Sequence, residues 1–335
     1  MKINLNFIKG KTIFLTGGTG SFGNAFVYFV KNLKPKKITI FSRDESKQWD
    51  MRNKYKDEDN IEFIIGDIRD KQRLSYSIKQ DTDYVVHAAA TKIVPTAETN
   101  PEECVKTNIE GTINLIQVAK EKKIKKVIAL STDKASNPVN LYGATKLAAD
   151  KLVISGNHFE QKNSTKFSII RYGNVLGSRG SVIPFFKEFF IKNKYIPVTN
   201  KNMTRFVISL KEAVNFVLFG LKDMSGGEIY VKKIPSITIL DIAKSVSKNA
   251  KIKFIGVRPG EKIHEQMISV EDAPYTYEFN DYYKIIPSIN NNKHYYVKNN
   301  YKKVKEDFYY SSDNNLNWLN SSELSSWIKK NPDYY

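Results

Sequence analysis

The stretch Thr16-Gly17-Gly18-Thr19-Gly20-Ser21-Phe22-Gly23 joins an apolar segment to a segment with helical spacing of its apolar residues. Gly18, Gly20 and Gly23 fit the pattern G-x-G-x-x-G, and Gly17, Gly20 and Gly23 fit a more widely spaced variant. Glycines allow a tight turn and let the backbone approach a pyrophosphate at the N-terminus of a helix. The motif alone is weak, but its position between a strand and a helix predicts dinucleotide binding.

Strand and helix patterns alternate through the first half of the chain, with predicted strands at 12–16, 37–41, 61–65, 84–86, 127–130 and 167–171. This alternation predicts an α/β Rossmann fold, a doubly wound parallel sheet with helices on both faces. After Gly173 the alternation stops. We therefore assign 1–180, with a returning segment at about 205–235, to an NADP-binding Rossmann domain. Residues 181–204 and 236–335 form a smaller C-terminal substrate-binding lobe and tail, in which Asn320 and Glu323 predict the capping box of a last helix.

The composition excludes several classes of function. One cysteine, Cys104, rules out an internal disulfide framework, and four histidines argue against a metal site. No run approaches the roughly 18 apolar residues of a membrane span, so we expect a soluble, cytoplasmic protein. The net charge of +18 is dispersed and accompanies no nucleic-acid-binding module, so it favours anionic small molecules as ligands.

The residues after the second predicted strand bear on the choice of cofactor. Arg43 suits a 2′-phosphate, and with Lys47 one turn later it favours NADP. Asp44 leaves NAD possible, and Arg43 could also be an ordinary surface cation. Asn108 either ties its helix to the site or is an ordinary polar helix residue. The predicted cofactor-binding residues are Gly17, Thr19, Gly20, Ser21, Phe22, Gly23, Ser42, Arg43, Asp44, Lys47, Asp67, Ile68, Ala88, Ala89, Ala90, Asn108, Tyr142 and Lys146.

Two motifs after the fifth predicted strand supply groups that handle protons. Tyr142 and Lys146 are four residues apart and share one face of a helix. An ammonium beside a phenol lowers the phenol pKa from its usual ~10, so Tyr142 is a candidate base. Asp133 and Lys134 add an acid and an amine, more than simple hydride transfer needs. Thr132 is predicted to orient an alcohol.

The order of these motifs resembles that of the extended short-chain dehydrogenase/reductases. More closely, the chain is similar to the inverting UDP-N-acetylglucosamine 4,6-dehydratases that open pseudaminic acid synthesis. The resemblance spans almost the whole chain and departs from the family at Lys92, which such relatives often follow with a His. Its motifs are Ser42-Arg43-Asp44-Glu45, Asp133-Lys134-Ala135, Asn140-Leu141-Tyr142-Gly143-Ala144-Thr145-Lys146, Arg171-Tyr172-Gly173-Asn174-Val175, Met203-Thr204-Arg205-Phe206, Arg258-Pro259-Gly260-Glu261-Lys262 and Tyr310-Ser311-Ser312.

The resemblance implies a lyase that dehydrates UDP-N-acetylglucosamine with inversion at C5, giving UDP-2-acetamido-2,6-dideoxy-β-L-arabino-hex-4-ulose for a flagellin or surface glycan. Tyr142 would act at the 4-OH, with Lys146 tuning it and holding the ribose. Lys134 would be the base at C5 and Asp133 the acid at the 6-OH. Tightly bound NADP would be regenerated in each turnover. A homo-oligomer, dimer or hexamer, is implied, with substrate contacts from Lys92, Asn174, Thr204, Arg205, Arg258 and Glu261.

Three other functions are compatible with parts of this pattern. A UDP-hexose 4-epimerase needs no acid–base pair for water loss, so Asp133 and Lys134 argue against it. A retaining 4,6-dehydratase would pair the Asp with a Glu rather than with Lys134. A non-catalytic, cofactor-sensing Rossmann protein would typically lack the pair formed by Tyr142 and Lys146.

We predict that the protein binds NADP more tightly than NAD, because Arg43 and Lys47 follow the second strand. Arg43→Ala should weaken NADP binding far more than NAD binding, as measured by calorimetry. Equal affinity of the unaltered protein for the two cofactors would overturn this assignment.

Overall fold

The centre of the molecule is a parallel sheet, seen in a computed structural model that describes residues 4–158, 164–248, 250–286 and 301–331. The strands are β1 Thr12–Thr16, β2 Lys37–Ser42, β3 Ile61–Ile65, β4 Tyr84–His87, β5 Lys126–Thr132, β6 Lys166–Tyr172, β7 Asn174–Val175, β8 Tyr195–Val198, β9 Thr204–Ile208, β10 Ile229–Lys232, β11 Ser236–Thr238, β12 Lys251–Phe254, β13 Gln266–Ile268, β14 Thr276–Glu278, β15 Tyr282–Ile285 and β16 Tyr310–Ser311.

Helices cover both faces of this sheet and build the smaller lobe. They are α1 Ser21–Val30, α2 Glu45–Lys54, α3 Lys71–Ser77, α4 Val94–Thr99, α5 Pro101–Val105, α6 Gly111–Glu121, α7 Leu141–Ser155, α8 Val182–Asn193, α9 Leu210–Asp223, α10 Ile239–Val246 and α11 Ser321–Lys330. A π-helical turn, Lys106–Glu110, joins α5 to α6, and a 3₁₀ turn, Asp133–Ala135, follows β5.

The main sheet has the strand order β14-β15-β10-β6-β5-β4-β1-β2-β3, and the seven strands from β10 to β3 run parallel. Every residue of β1 is buried, as expected for a strand covered on both faces. The predicted doubly wound Rossmann sheet is confirmed. Thr16 lies opposite both Phe41 and His87, so the carboxyl ends of the central strands meet at one edge.

The smaller lobe has its own apolar core, although its boundary differs from the one the sequence indicates. That core includes Ile183, Phe186, Ile196, Ile242 and Leu324. Strands β14 and β15 were expected in the lobe but extend the main sheet, because β15 pairs antiparallel with β10. The returning segment contributes α9, which packs against α1, and β10.

The final helix is confirmed by its capping box: the side chain of Asn320 accepts from the N–H of Glu323, and the side chain of Glu323 accepts from the N–H of Asn320. Residues 332–335 of the tail lie outside the described residues. None of the helices in the described part of the chain has the length and apolar character needed to cross a membrane.

Gly23 fixes the distance between the glycine loop and α1. A Cβ at Gly23 would collide with the backbone carbonyl of Gly18, whereas a Cβ at Gly20 would meet only the carbonyl oxygen of Gly17, at 3.2 Å. Backbone atoms cannot move aside as a flexible side chain can.

We expect Gly23→Ala to lower the free energy of unfolding by about 1–3 kcal/mol, measured by urea denaturation. Gly20→Ala is the matched control; an equal loss in both variants would contradict this account.

Candidate active site

The glycine loop forms a cradle of backbone groups at the carboxyl edge of the sheet. Gly17 adopts φ of 66°, a conformation that favours glycine, and its N–H donates to the carbonyl of Phe41 at 2.9 Å. A Cβ at Gly17 would come within 2.7 Å of the Ala89 nitrogen, so the glycine and the small residues after β4 let the two loops touch. The N-cap of α1, Gly20, offers no capping side chain, which leaves the first N–H groups of the helix available to an anion. These residues fit a dinucleotide.

The side chains after β2 divide between structural and exposed roles. Asp44 caps α2 by accepting from the N–H of Lys47 at 2.9 Å, and its carboxylate also pairs with the Lys47 ammonium. Hydrogen bonding from Lys47 lowers the pKa of Asp44. Arg43 is half exposed, and its Nη1 lies 3.6 Å from Oδ2 of Asp67, which also accepts from Nε of Arg69 at 2.9 Å.

His87 ties the cradle to α6. Its Nδ1 lies 2.8 Å from Oγ1 of Thr16, and its Nε2 lies 3.3 Å from Oγ1 of Thr112. Burial, together with the nearby charge of Lys146, lowers the pKa of His87 to about 3. The imidazole is therefore neutral at physiological pH and works as a structural hydrogen-bonding group.

Asn108 joins three segments around the site. Its Oδ1 accepts from the N–H of Thr91 at 2.8 Å, and its Nδ2 donates to the carbonyl of Thr91 at 2.9 Å and to Oγ1 of Thr145 at 3.0 Å. The π-helical turn that contains Asn108 thus holds the loop after β4 against α7, which favours the tying role over an ordinary polar position. In that loop Nζ of Lys92 donates to the carbonyl of Arg179 at 3.1 Å.

Asp133 and Lys134 lie side by side in the 3₁₀ turn that ends β5. Nζ of Lys134 is 3.1 Å from Oδ1 of Asp133, which also accepts from the Thr132 hydroxyl at 3.0 Å. Asp133 is fully buried, and its Oδ2 has no partner among the described residues. Burial raises the pKa of Asp133, and this effect outweighs the opposing attraction of Lys134.

A second carboxylate, which the sequence analysis did not identify, reaches the same ammonium. Oε1 of Glu265, immediately before β13, lies 2.9 Å from Nζ of Lys134 and 3.8 Å from Nε of Arg205. Burial lowers the pKa of Lys134, but Asp133 and Glu265 outweigh it, so the net pKa lies well above the usual range. The only sequence signal for Glu265 is its position shortly after the Arg-Pro-Gly-Glu-Lys motif.

Tyr142 and Lys146 lie on α7, as expected, but their electrostatics differ from the expectation. Burial raises the pKa of Tyr142 to about 12, while the charge of Lys134 and a hydrogen bond with Thr132 act to lower it. Lys146 instead donates its Nζ to the carbonyl of Leu130 at 2.7 Å. The predicted lowering of the Tyr142 pKa is therefore wrong for this geometry, because desolvation of the phenolate dominates.

The residues predicted to contact substrate fall into two groups. Thr204, Arg205 and Asn174 are at least partly buried. Nη1 of Arg205 donates to the carbonyl of Thr204 at 2.7 Å, and Oδ1 of Asn174 is buried without a partner among the described residues. Arg258 and Glu261 lie instead on a loop, where Arg258 is exposed and its N–H donates to Oε2 of Glu261 at 3.3 Å.

Two hydrogen bonds connect that loop to the start of α7 and to the residue after the 3₁₀ turn Asp133–Ala135. Nδ2 of Asn140, the N-cap of α7, donates to the carbonyl of Gly260 at 2.8 Å. Nζ of Lys262 donates to the carbonyl of Ser136 at 2.6 Å. In the described ranges, no group of three or more His, Cys, Asp or Glu side chains is arranged to hold a metal ion.

Comparison with known proteins identifies the family. Residues 13–287 match the family model described as polysaccharide biosynthesis protein. The chain belongs to this family. A relative from Campylobacter jejuni named "UDP-N-acetylglucosamine 4,6-dehydratase (inverting)", a hydro-lyase, is 50% identical over 94% of this chain and 96% of that protein. This match confirms the resemblance inferred from the motifs.

The chain is also similar to two other known proteins. A protein named UDP-glucose 4-epimerase from Rickettsia bellii is 45% identical over 82% of each chain. The X-ray structure of Pen from Bacillus thuringiensis superposes with a TM-score of 0.88 and 36% identity, covering 97% of this chain and 99% of that one. The fold of the Bacillus thuringiensis protein is therefore shared across nearly the full length of this chain.

We predict a pH-dependent loss of stability from His87. Its folded pKa is about 3, below the unfolded value of about 6.5, so its contribution is complete above about pH 6.5 and declines as the pH falls toward 3. Between about pH 7 and about pH 5 the unaltered protein should lose about 2 kcal/mol more unfolding free energy than His87→Gln. Urea denaturation at the two pH values measures this. Parallel losses in the unaltered protein and in His87→Gln would contradict the prediction.

Proposed function

We propose that this protein is an NADP-dependent, inverting UDP-N-acetylglucosamine 4,6-dehydratase that supplies a pseudaminic-acid-type pathway. The observation that carries the proposal is the pair of buried Asp133 and partly buried Lys134 beside Tyr142. An acid, an amine and a phenol in one pocket are what oxidation at C4 followed by loss of water from C5 and C6 requires. When bound, the nicotinamide would accept hydride from C4 and return it at C6, so that it is unchanged after each turnover.

Tyr142 is assigned to the proton of the sugar 4-OH. Because burial keeps the phenol protonated at neutral pH, Tyr142 must first release its own proton to the solvent before it can accept the proton of the 4-OH. Lys134 favours the phenolate through its charge, and Thr132 orients the phenol by a hydrogen bond. Lys146, on the same helix as Tyr142, is held by the carbonyl of Leu130 and is assigned to a ribose hydroxyl of the cofactor.

Asp133 and Lys134 are assigned to the elimination. The C4 ketone acidifies the C5 proton, which passes to the Lys134 amine, while Asp133 gives a proton to the departing 6-OH. Water leaves, a C5–C6 double bond forms, and C5 later regains a proton on the opposite face. A proton shift across the 3.1 Å contact between Nζ of Lys134 and Oδ1 of Asp133 would convert the ion pair into the neutral amine and neutral acid that these steps need.

The proposed preference for NADP is supported by the contacts that Asp44 makes within α2. Its carboxylate caps α2 and pairs with Lys47, so it is poorly available to ribose hydroxyls. Arg43 remains half exposed as a cation for a 2′-phosphate. The unpartnered Oδ1 of Asn174 supports a polar contact with the substrate. From the resemblance we also propose a cytoplasmic homo-oligomer, with further substrate contacts from Lys92, Thr204, Arg205, Arg258 and Glu261.

A 4-epimerase is the competing function, since relatives with that name share much of the chain. Epimerisation at C4 removes no water and so has no use for a buried acid–amine pair. Incubation with UDP-N-acetylglucosamine in deuterated water, followed by NMR, separates the two. We expect a 6-deoxy-4-keto product of L-configuration with deuterium at C5. A C4 epimer that keeps its 6-OH would refute the dehydratase assignment.

Lys134→Ala should slow elimination far more than it slows oxidation at C4, because Lys134 acts directly in elimination and only through its charge on Tyr142 in oxidation. We expect the rate of formation of the 6-deoxy-4-keto product to fall by on the order of 10²–10⁴-fold. Reduced nicotinamide should accumulate, and its near-ultraviolet absorbance should rise. Tyr142→Phe is the matched comparison, because it should block oxidation, so that no reduced cofactor appears. If Lys134→Ala accumulated no reduced cofactor, or if Tyr142→Phe turned over normally, these role assignments would be wrong.

A further inference from the structure

Glu265 lies immediately before β13, far along the chain from Asp133 and Lys134, yet its side chain contacts Lys134. It is 2% exposed as a side chain, and its Oε1 lies 2.9 Å from Nζ of Lys134. Its main chain is fixed as well: the N–H of Glu265 donates to the Ser312 hydroxyl at 2.9 Å, and its carbonyl accepts from the N–H of Ser312 at 2.8 Å. A carboxylate held this firmly keeps one geometry toward the ammonium.

The Lys134 ammonium therefore lies between two buried carboxylates from different parts of the chain. Asp133 approaches it at 3.1 Å and Glu265 at 2.9 Å. Oδ2 of Asp133 and Oε2 of Glu265 are both buried without partners among the described residues. Besides Lys134 itself, the charged and titratable groups that face the two carboxylates are Arg205, Lys262 and Tyr142.

We propose that Glu265 is a positioning residue for dehydration, which holds the Lys134 ammonium between itself and Asp133 and thereby sets the order in which these groups bind protons. The proposal rests on the proposed dehydratase function and adds a residue to it. With Lys134 and Arg205 on one side, Glu265 stays ionised. Its negative charge then opposes ionisation of Asp133, so Asp133 is the carboxyl group that carries the proton needed at the 6-OH.

The charge at residue 265 acts in the same direction on both neighbours. A negative charge within ~4–6 Å raises the pKa of a carboxyl group and of an ammonium alike, typically by 1–3 units. Removing it should therefore lower the pKa of Asp133 and the pKa of Lys134 together. A residue that only supports the fold would reduce the rate without moving either pKa.

The test is the pH dependence of dehydration by the full chain with cofactor and UDP-N-acetylglucosamine, in three variants. Glu265→Gln should move both limbs of the profile toward lower pH by about 1 unit or more and reduce the maximal rate. Glu265→Asp, which keeps the charge, should leave the limbs near their original pH although the rate falls. Glu271→Gln, the same change at an exposed position nearby in the chain, should match the unaltered enzyme.

A measurement on the unaltered protein keeps the proposal testable if Glu265→Gln does not fold. Carbon-13 NMR of labelled Asp and Glu side chains should contain one Asp that titrates above the usual Asp range and disappears in Asp133→Asn. Absence of that signal, or a Glu265→Gln profile whose limbs do not move, overturns the proposal. If the unaltered enzyme forms no 6-deoxy-4-keto product at all, the dehydratase assignment fails instead, and the NMR titration still decides the electrostatic role of Glu265.

Discussion

The parallel register of the main sheet is the constraint on which the site depends. Strands β1, β2, β4 and β5 run in the same direction with aligned ends. One edge of the sheet therefore carries the glycine loop, the residues after β2 and the 3₁₀ turn Asp133–Ala135 after β5. Parallel sheets of this type bind their ligands outside the carboxyl ends of the strands. If one strand slipped by a residue, each of its side chains would change face. The backbone cradle and the proton-handling groups would then no longer lie together.

Beneath the site, a buried guanidinium holds the larger domain and the strands around β13 together. Arg171 on β6 donates Nη1 to the carbonyl of Met267 at 2.8 Å and lies 3.2 Å, through Nη2, from Oδ2 of Asp150 on α7. Asp150 in turn accepts from the Ser131 hydroxyl at 2.8 Å. The same side chain thus positions the helix that carries Tyr142 and the strand that follows Glu265. A buried ion pair of this kind is poor evidence for net stability, but loss of one partner would leave an uncompensated charge.

The sequence predicted those features that depend on local chemistry. The glycine loop, the alternation of strands and helices in the first half of the chain and the capping box at Asn320 follow from turn geometry, apolar periodicity and hydrogen bonding within a few residues. It did not predict Glu265, because the contact with Lys134 joins distant parts of the chain through tertiary structure. It also assigned the wrong direction to the pKa of Tyr142, since the spacing to Lys146 is local but the desolvation of the phenol depends on the whole fold.

The unpartnered polar atoms around the site have a thermodynamic consequence. Oδ2 of Asp133, Oε2 of Glu265 and Oδ1 of Asn174 are buried without hydrogen bonds to the described residues. Each such atom makes folding less favourable than it would be with an apolar or fully paired group. A molecule that satisfies them on binding recovers this loss, so affinity for the ligand and tolerance to heat are linked in this protein through the same three atoms.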